Sequence, residues 1–325
     1  MERMVYLDYV RSLSMMYVVG FWHLFNYTDA FPLYMNFATQ KFTLIVLGTF
    51  IFVSGYLIGA TSKSKFTLKE FFIKRFIRIY PLYALSLLIF YAVGLLDFYT
   101  VWKSIVFVSL FDGSSPLTLW FITVLFTYYL LAPIYIESSK NVFSYIILFS
   151  LILCTILILS VFFPSIDGRF LQYYACFFVA LYIGKEIPQF IDKKSTLVAL
   201  LLFFPAVAIS FVNVKYRIID TLIAMVMVLI GAFVIVGLAK RFNARLIDSK
   251  FISVLAYSSF CMYLLHRPIF LLLKEFYFPA TPIYQTLYLY IVCLPIIGVA
   301  SYYSQLVYDS FISRIIEKLA GSPGR

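Results

Sequence analysis

Apolar runs of about 20 residues recur along the whole chain, and each is the length a helix needs to cross the hydrocarbon of a bilayer. A lipid core offers no water to unpaired backbone groups. Such runs must therefore be helices unless apolar and polar residues alternate as in barrel strands, and no such alternation is found. Composition agrees: 63% of the 325 residues are hydrophobic and 13% are charged, against roughly 25% charged in a soluble domain. The expected fold class is all-α, a polytopic helical bundle forming one membrane-embedded domain over residues 1–325.

Ten spans are expected, near Val5–Phe25, Phe42–Ala60, Tyr80–Leu96, Leu117–Ile136, Val142–Phe163, Phe170–Ile187, Leu197–Val212, Ile218–Leu238, Ser253–Leu273 and Ile283–Val307. The first run follows Met1-Glu2-Arg3 directly and lacks a small-residue cleavage pattern, so it is expected to stay as a span. Thr100–Phe111 is apolar but short and broken by Lys103, which suits an interfacial or re-entrant piece. Beyond the last span, residues 308–325 are expected to form a short amphipathic tail, helical over Ser310–Leu319.

The formal charge of +11 does not signal nucleic acid here, because the basic residues sit mostly in short loops between apolar runs. In the ten-span arrangement with both ends cytoplasmic, 18 Lys and Arg fall on the inner side and 6 on the outer. That bias sets the expected orientation. The four cysteines, Cys154, Cys176, Cys261 and Cys293, lie in apolar segments without metal-ligand spacing and are expected to be packing residues. No metal is expected.

Ionisable residues inside spans cost several kcal/mol on insertion scales, so they mark candidate function. Three groups stand out. In the first helix, Asp8 and Arg11 are three apart and can pair, whereas His23 has no local partner and is either functional or part of an interfacial aromatic belt with Trp22 and Phe25. In the stretch Lys74-Arg75-Phe76-Ile77-Arg78-Ile79-Tyr80-Pro81, a helical turn directs Lys74, Arg75 and Arg78 to one side. Guanidinium groups so placed match phosphate oxygens, or else anchor to lipid headgroups. The third group holds the only other histidine, His266 of Leu264-Leu265-His266-Arg267-Pro268, expected at the outer end of the ninth span, where it either joins a site with His23 or satisfies a helix-end carbonyl. Soluble-enzyme motifs such as a Walker loop or a serine elbow are absent, and Gly55 is expected to let two helices approach closely.

In order along the chain, these segments resemble the acyltransferase-3 family of membrane acyltransferases. Tyr6-Leu7-Asp8-x-x-Arg11 with His23, Phe52-Val53-Ser54-Gly55-Tyr56-Leu57, Arg75-x-x-Arg78-Ile79-x-Pro81, Leu119-Trp120-Phe121-Ile122 and Tyr257-Ser258-x-x-x-x-Tyr263-Leu264-Leu265-His266-x-Pro268 carry the resemblance over nearly the whole chain. It implies transfer of an acyl group, usually acetyl from cytosolic acetyl-CoA, to a hydroxyl of a cell-surface or lipid-linked glycan. It also implies residue roles: His23 and Arg11 catalytic; Arg75, Arg78, Lys74 and Tyr80 at the donor; His266, Trp120 and Ser54 at the acceptor. His23 would act as general base or carry the acyl group itself.

Two departures follow from this resemblance. Ten residues usually separate the arginine and histidine of the first span, and here there are eleven, which puts Arg11 and His23 roughly 120° apart on a regular helix. A one-residue π-bulge near Gly20 would bring them to within roughly 20°. Further, Leu119–Thr127 lacks the glutamate common in the middle motif, and Asp8 lies about 22 Å from His23 along the helix, so no carboxylate partner for His23 is identified. The competing readings are a polysaccharide exporter or flippase, and a non-catalytic partner in polysaccharide assembly. Expected partners are acyl-CoA, the glycan acceptor and the bilayer, without nucleic acid; a homodimer is left open.

Overall fold

Residues 4–62, 67–212 and 214–319 are described by a computed structural model; they are helical wherever the sequence runs apolar, and none of them forms a strand. Arg3, Lys63, Lys65 and Arg325, which contribute to the charge bias, and the last residues of the expected tail lie outside the described residues. The helices are α1 (Val5–Tyr17), α2 (Phe37–Thr61), α3 (Leu68–Ala92), α4 (Phe98–Ile105), α5 (Ser109–Asp112), α6 (Trp120–Ser138) and α7 (Val142–Phe162). They continue as α8 (Gly168–Gln172), α9 (Tyr174–Glu186), α10 (Lys193–Ser210), α11 (Arg217–Arg241), α12 (Lys250–Phe276), α13 (Pro282–Tyr288) and α14 (Leu294–Leu319). Side-chain caps mark several starts: Asn36 accepts from the Thr39 amide at 3.0 Å, Asp97 from Thr100 at 2.8 Å, Asn141 from Phe143 at 2.9 Å and Asp192 from Ser195 at 2.8 Å.

Among the described residues, seven helical stretches are long and apolar enough to cross a membrane: α2, α6 with its preceding turn, α7, α10, α11, α12 and the continuous α13–α14. The other three expected spans fold as helices but fall short of that measure. α1 has 13 α-helical residues and contains Asp8 and Arg11, α9 also has 13, and the first half of α3 carries Lys69, Glu70, Lys74, Arg75 and Arg78. The short stretch after α3 folds as α4 and α5, tied by an ion pair between Lys103 and Asp112. The segment from Ser310 is no separate element: α14 runs unbroken to Leu319.

Burial separates the helices. In their most apolar windows, α2 and the α6 stretch are 72% and 78% buried, whereas α7 and α10 are 11% buried and present bare Leu, Ile, Val and Phe outward. The first pair builds the core, and the second suits lipid contact. The tightest seam joins α2 to α9. A Cβ at Gly55 would collide with the Phe177 carbonyl oxygen, one at Gly59 with that of Leu181, and one at Gly184 with that of Tyr56. Three small residues thus allow backbone-to-backbone approach, the role expected for Gly55. None of the four cysteines is paired, and all but Cys154 are buried.

Candidate active site

α1 and α12 are joined at the end of the bundle where both begin. The Tyr9 hydroxyl donates to the Ile247 carbonyl (2.9 Å), Ser12 Oγ to that of Ile252 (3.0 Å), and Arg11 Nη2 to Ser259 Oγ (3.1 Å). After Tyr17 the helix widens into π geometry over Val18–His23, a stretch that includes Gly20. The extra residue turns His23 to α12, where its ring lies 4.8 Å from that of His266, tilted by 36°. Ser259 and His266 are seven residues apart, two turns along one face of α12. Arg11 and His23 therefore both address that face, and the π turn removes the one-residue mismatch seen in the sequence.

His266 is fully buried inside α12, ten residues before the helix ends at Phe276, rather than at a helix terminus. Its Nδ1 lies 2.7 Å from the Tyr263 carbonyl oxygen and 3.2 Å from that of Met262. A carbonyl only accepts, so Nδ1 carries the proton of the neutral ring and Nε2 is a lone pair, buried and unpartnered. His23 makes the converse contact: Arg267 Nη2 lies 3.3 Å from its Nδ1, and a guanidinium only donates, so this Nδ1 is the lone pair of its ring. Where sequence left His23 without a carboxylate, a guanidinium holds it.

A cavity of about 240 Å³ opens beside this contact toward the end of the bundle where α1 begins. Arg11, Arg75 and Arg78 bring three cations to its wall, with Ser54, Ser259, Tyr129, Tyr257 and Asp309 as polar company and Leu47, Phe50, Val53 and Phe121 among the apolar lining. Arg75 lies over the rings of Phe71 and Tyr129, its carbon 5.8 and 5.6 Å from their centroids. Asp309 accepts from the Tyr257 hydroxyl (2.5 Å) and from Gln305 Nε2 (2.9 Å). None of the ion pairs found among the described residues takes up Arg11, Arg75 or Arg78. Tyr263 also lines the cavity; its hydroxyl donates to the Thr118 carbonyl (2.5 Å) and its ring lies 5.9 Å from that of His266. Tyr263 thus borders both the arginine-lined cavity and His266.

Of the residues singled out in the sequence, the cavity gathers Arg11, Ser54, Arg75 and Arg78, while His23 and His266 meet each other. Three lie elsewhere. Lys74 is 70% exposed and pairs with Glu70 at 3.4 Å. Tyr80 stacks on Phe76 and donates to the Ile105 carbonyl (3.3 Å), facing α4. The ring of Trp120 is covered by the Arg169 guanidinium at 4.1 Å and stacked on Tyr173, and is 8% exposed. Sequence reasoning missed Arg267, which it named only as a neighbour of His266, and Ser259, which carries no signal of its own. An arginine in the interior of an apolar helix is the signal that finds the former.

No curated protein and no solved structure matches this chain. A family model does: the acyltransferase-3 model, described as an acyltransferase domain, matches residues 4–302, which takes in all of the cavity-lining arginines and both histidines. With that match over most of its length, the chain belongs to the acyltransferase-3 family, and it is a multi-pass membrane acyltransferase by domain.

Proposed function

We propose that this protein moves an acyl group, acetyl above all, from cytosolic acyl-CoA to a hydroxyl of a surface or lipid-linked glycan. The observation that carries the reading is one cavity lined by Arg11, Arg75, Arg78 and Tyr263, with the Tyr263 ring 5.9 Å from that of His266 and the His266 ring 4.8 Å from that of His23. CoA is a polyanion made in the cytosol, and the charge bias of the loops puts the arginine end of the cavity there. Arg75 and Arg78, which belong to none of the ion pairs among the described residues, suit its phosphates. At about 240 Å³ the cavity falls below the roughly 300–1,000 Å³ of pockets that enclose a whole drug-sized ligand. It suits the pantetheine arm and thioester, with the nucleotide at the mouth beside Arg75 and Arg78.

At the other end, the acceptor hydroxyl gives its proton to His23, the more accessible ring at 7% against 0% for His266. His266, fixed through Nδ1 by its own helix, packs against His23 with the rings 4.8 Å apart and tilted by 36°. Arg11, bound to Ser259 between the two ends, keeps α1 in register with α12. A polysaccharide exporter needs neither the arginine-lined cavity nor the imidazole pair.

The test is direct. Purified protein given labelled acetyl-CoA is expected to release CoA, faster with its host's surface glycan present, and His23→Ala is expected to abolish this. Absence of CoA release from the wild type sinks the acyl-transfer reading. Normal surface O-acetylation in a His23→Ala strain would point to the assembly-partner role instead.

A further inference from the structure

Acyl transfer needs more than a base. When the acceptor oxygen adds to the thioester carbon, the carbonyl electron pair moves onto oxygen, and an apolar bundle is a poor place for that charge unless N–H donors are already aimed at it. Building on the acyl-transfer reading above, we infer that Arg267 is a catalytic residue whose guanidinium holds this oxyanion.

Three observations converge on Arg267. Its Nη2 stands 3.3 Å from Nδ1 of His23, the atom that takes the hydroxyl proton. Its Nε is buried and has no hydrogen-bond partner, an arrangement that costs stability unless a ligand atom completes it. It belongs to none of the ion pairs among the described residues, unlike Arg169 at the same end, which Asp167 neutralises; Arg217 there donates to the Pro164 and Ile166 carbonyls at 2.6 and 2.8 Å. The cation beside the imidazoles thus has no carboxylate partner among the described residues. In the family resemblance, position 267 is the variable residue between His266 and Pro268, so the motif itself assigns it nothing.

Geometry brings the guanidinium to the reacting oxygen. A hydroxyl donating to His23 Nδ1 sits about 2.8 Å from it, displaces Nη2 from that lone pair, and leaves the planar fork of N–H groups beside the carbonyl under attack. The new O–C bond then forms while the hydroxyl proton passes to Nδ1, and the carbonyl electron pair rests on oxygen between Nε–H and Nη2–H. The pair returns, the C–S bond breaks, and the proton on His23 passes to the departing CoA thiolate. Ester and free thiol are the products, and no other reactant enters.

The experiment measures kcat and donor KM for purified Arg267 variants with labelled acetyl-CoA and the host's surface glycan. Arg267→Met is expected to lower kcat about 10²–10³-fold while donor KM moves less than about twofold, the pattern of a lost oxyanion donor. Added guanidinium is expected to restore part of the rate to Arg267→Gly and none to His23→Ala. A methionine variant within a few-fold of wild-type kcat overturns the assignment, as does a glycine variant that binds donor normally and is not rescued. If the methionine variant no longer binds donor, Arg267→Lys decides: a rate about tenfold down at unchanged KM supports the role, and an unchanged rate overturns it. A wild type that releases no CoA removes the acyl-transfer reading itself, and this inference with it.

Discussion

The two ends of the α1–α12 contact hold their charged groups in opposite ways. At the end where α1 begins, Arg11, Arg75 and Arg78 line an open cavity, and Arg75 is screened by aromatic rings rather than by carboxylates. At the other end, His23, His266 and Arg267 are packed ring to ring in the interior, with Nε2 of His266 and Nε of Arg267 lacking any partner. An accessible cationic cavity captures an anion through field and hydrogen bonds, which appears in KM. A dry cluster of preset lone pairs and donors acts on charge that develops during reaction, which appears in kcat. Substitutions at the two ends should therefore separate kinetically, and each prediction tests that division.

The largest effect is expected from His23→Ala. Loss of a general base costs about 10²–10⁴ in rate, here at unchanged donor KM because the cavity keeps its arginines. Steady-state CoA release measures both constants. A KM increase with kcat preserved would erase the distinction between the two ends.

Next in size is the paired change Arg75→Gln with Arg78→Gln. Charge-assisted hydrogen bonds contribute about 1.5–3 kcal/mol each, so donor KM should rise at least about tenfold per arginine with kcat held. Lys74→Gln is the control within the same stretch. Its ammonium is 70% exposed and paired with Glu70, so donor KM should hardly move.

The contrast between these neighbours shows what the sequence could and could not tell. Apolar runs of membrane length fixed the helical fold, because few solutions satisfy backbone groups in lipid. The family resemblance even located a distortion: set against the usual ten residues, the extra one between Arg11 and His23 called for a π turn near Gly20, and Val18–His23 form one. Lys74, by contrast, looked equivalent to Arg75 and Arg78 because one helical turn carries all three, but helix α3 has a bundle face and an outer face, and only packing decides which residue lies on which. Trp120, which the resemblance assigns to the acceptor, has its ring covered by Arg169, 49 positions later, a contact that no local pattern announces. Arg267 escaped notice for the same reason, since its partner His23 is 244 residues away in sequence.

Ionic strength offers a smaller and cleaner discrimination. Between 0.1 and 1 M salt the Debye length shrinks from about 10 to about 3 Å, which weakens charges that solvent reaches and spares those that it does not. Donor KM is expected to rise several-fold over this range while kcat stays flat. A kcat that falls with salt would mean that the imidazole end is as wet as the cavity.

The smallest effect belongs to the residue between the two ends. Ser259 is 2% exposed and takes a hydrogen bond from Arg11 Nη2 at 3.1 Å while its own hydroxyl donates to the Ala256 carbonyl at 2.8 Å. Ser259→Ala removes one hydrogen bond to a guanidinium that keeps its charge and its place in the cavity wall, so the cost should be about 1 kcal/mol, or roughly fivefold in kcat/KM. Because Arg11 borders the cavity while Ser259 shares a helix face with His266, the division of that fivefold is informative. A change confined to KM places Arg11 with the donor-binding arginines. A change confined to kcat places it with the imidazoles, because the lost bond then acts by loosening the register of α1 against α12 and so the distance between His23 and the acceptor.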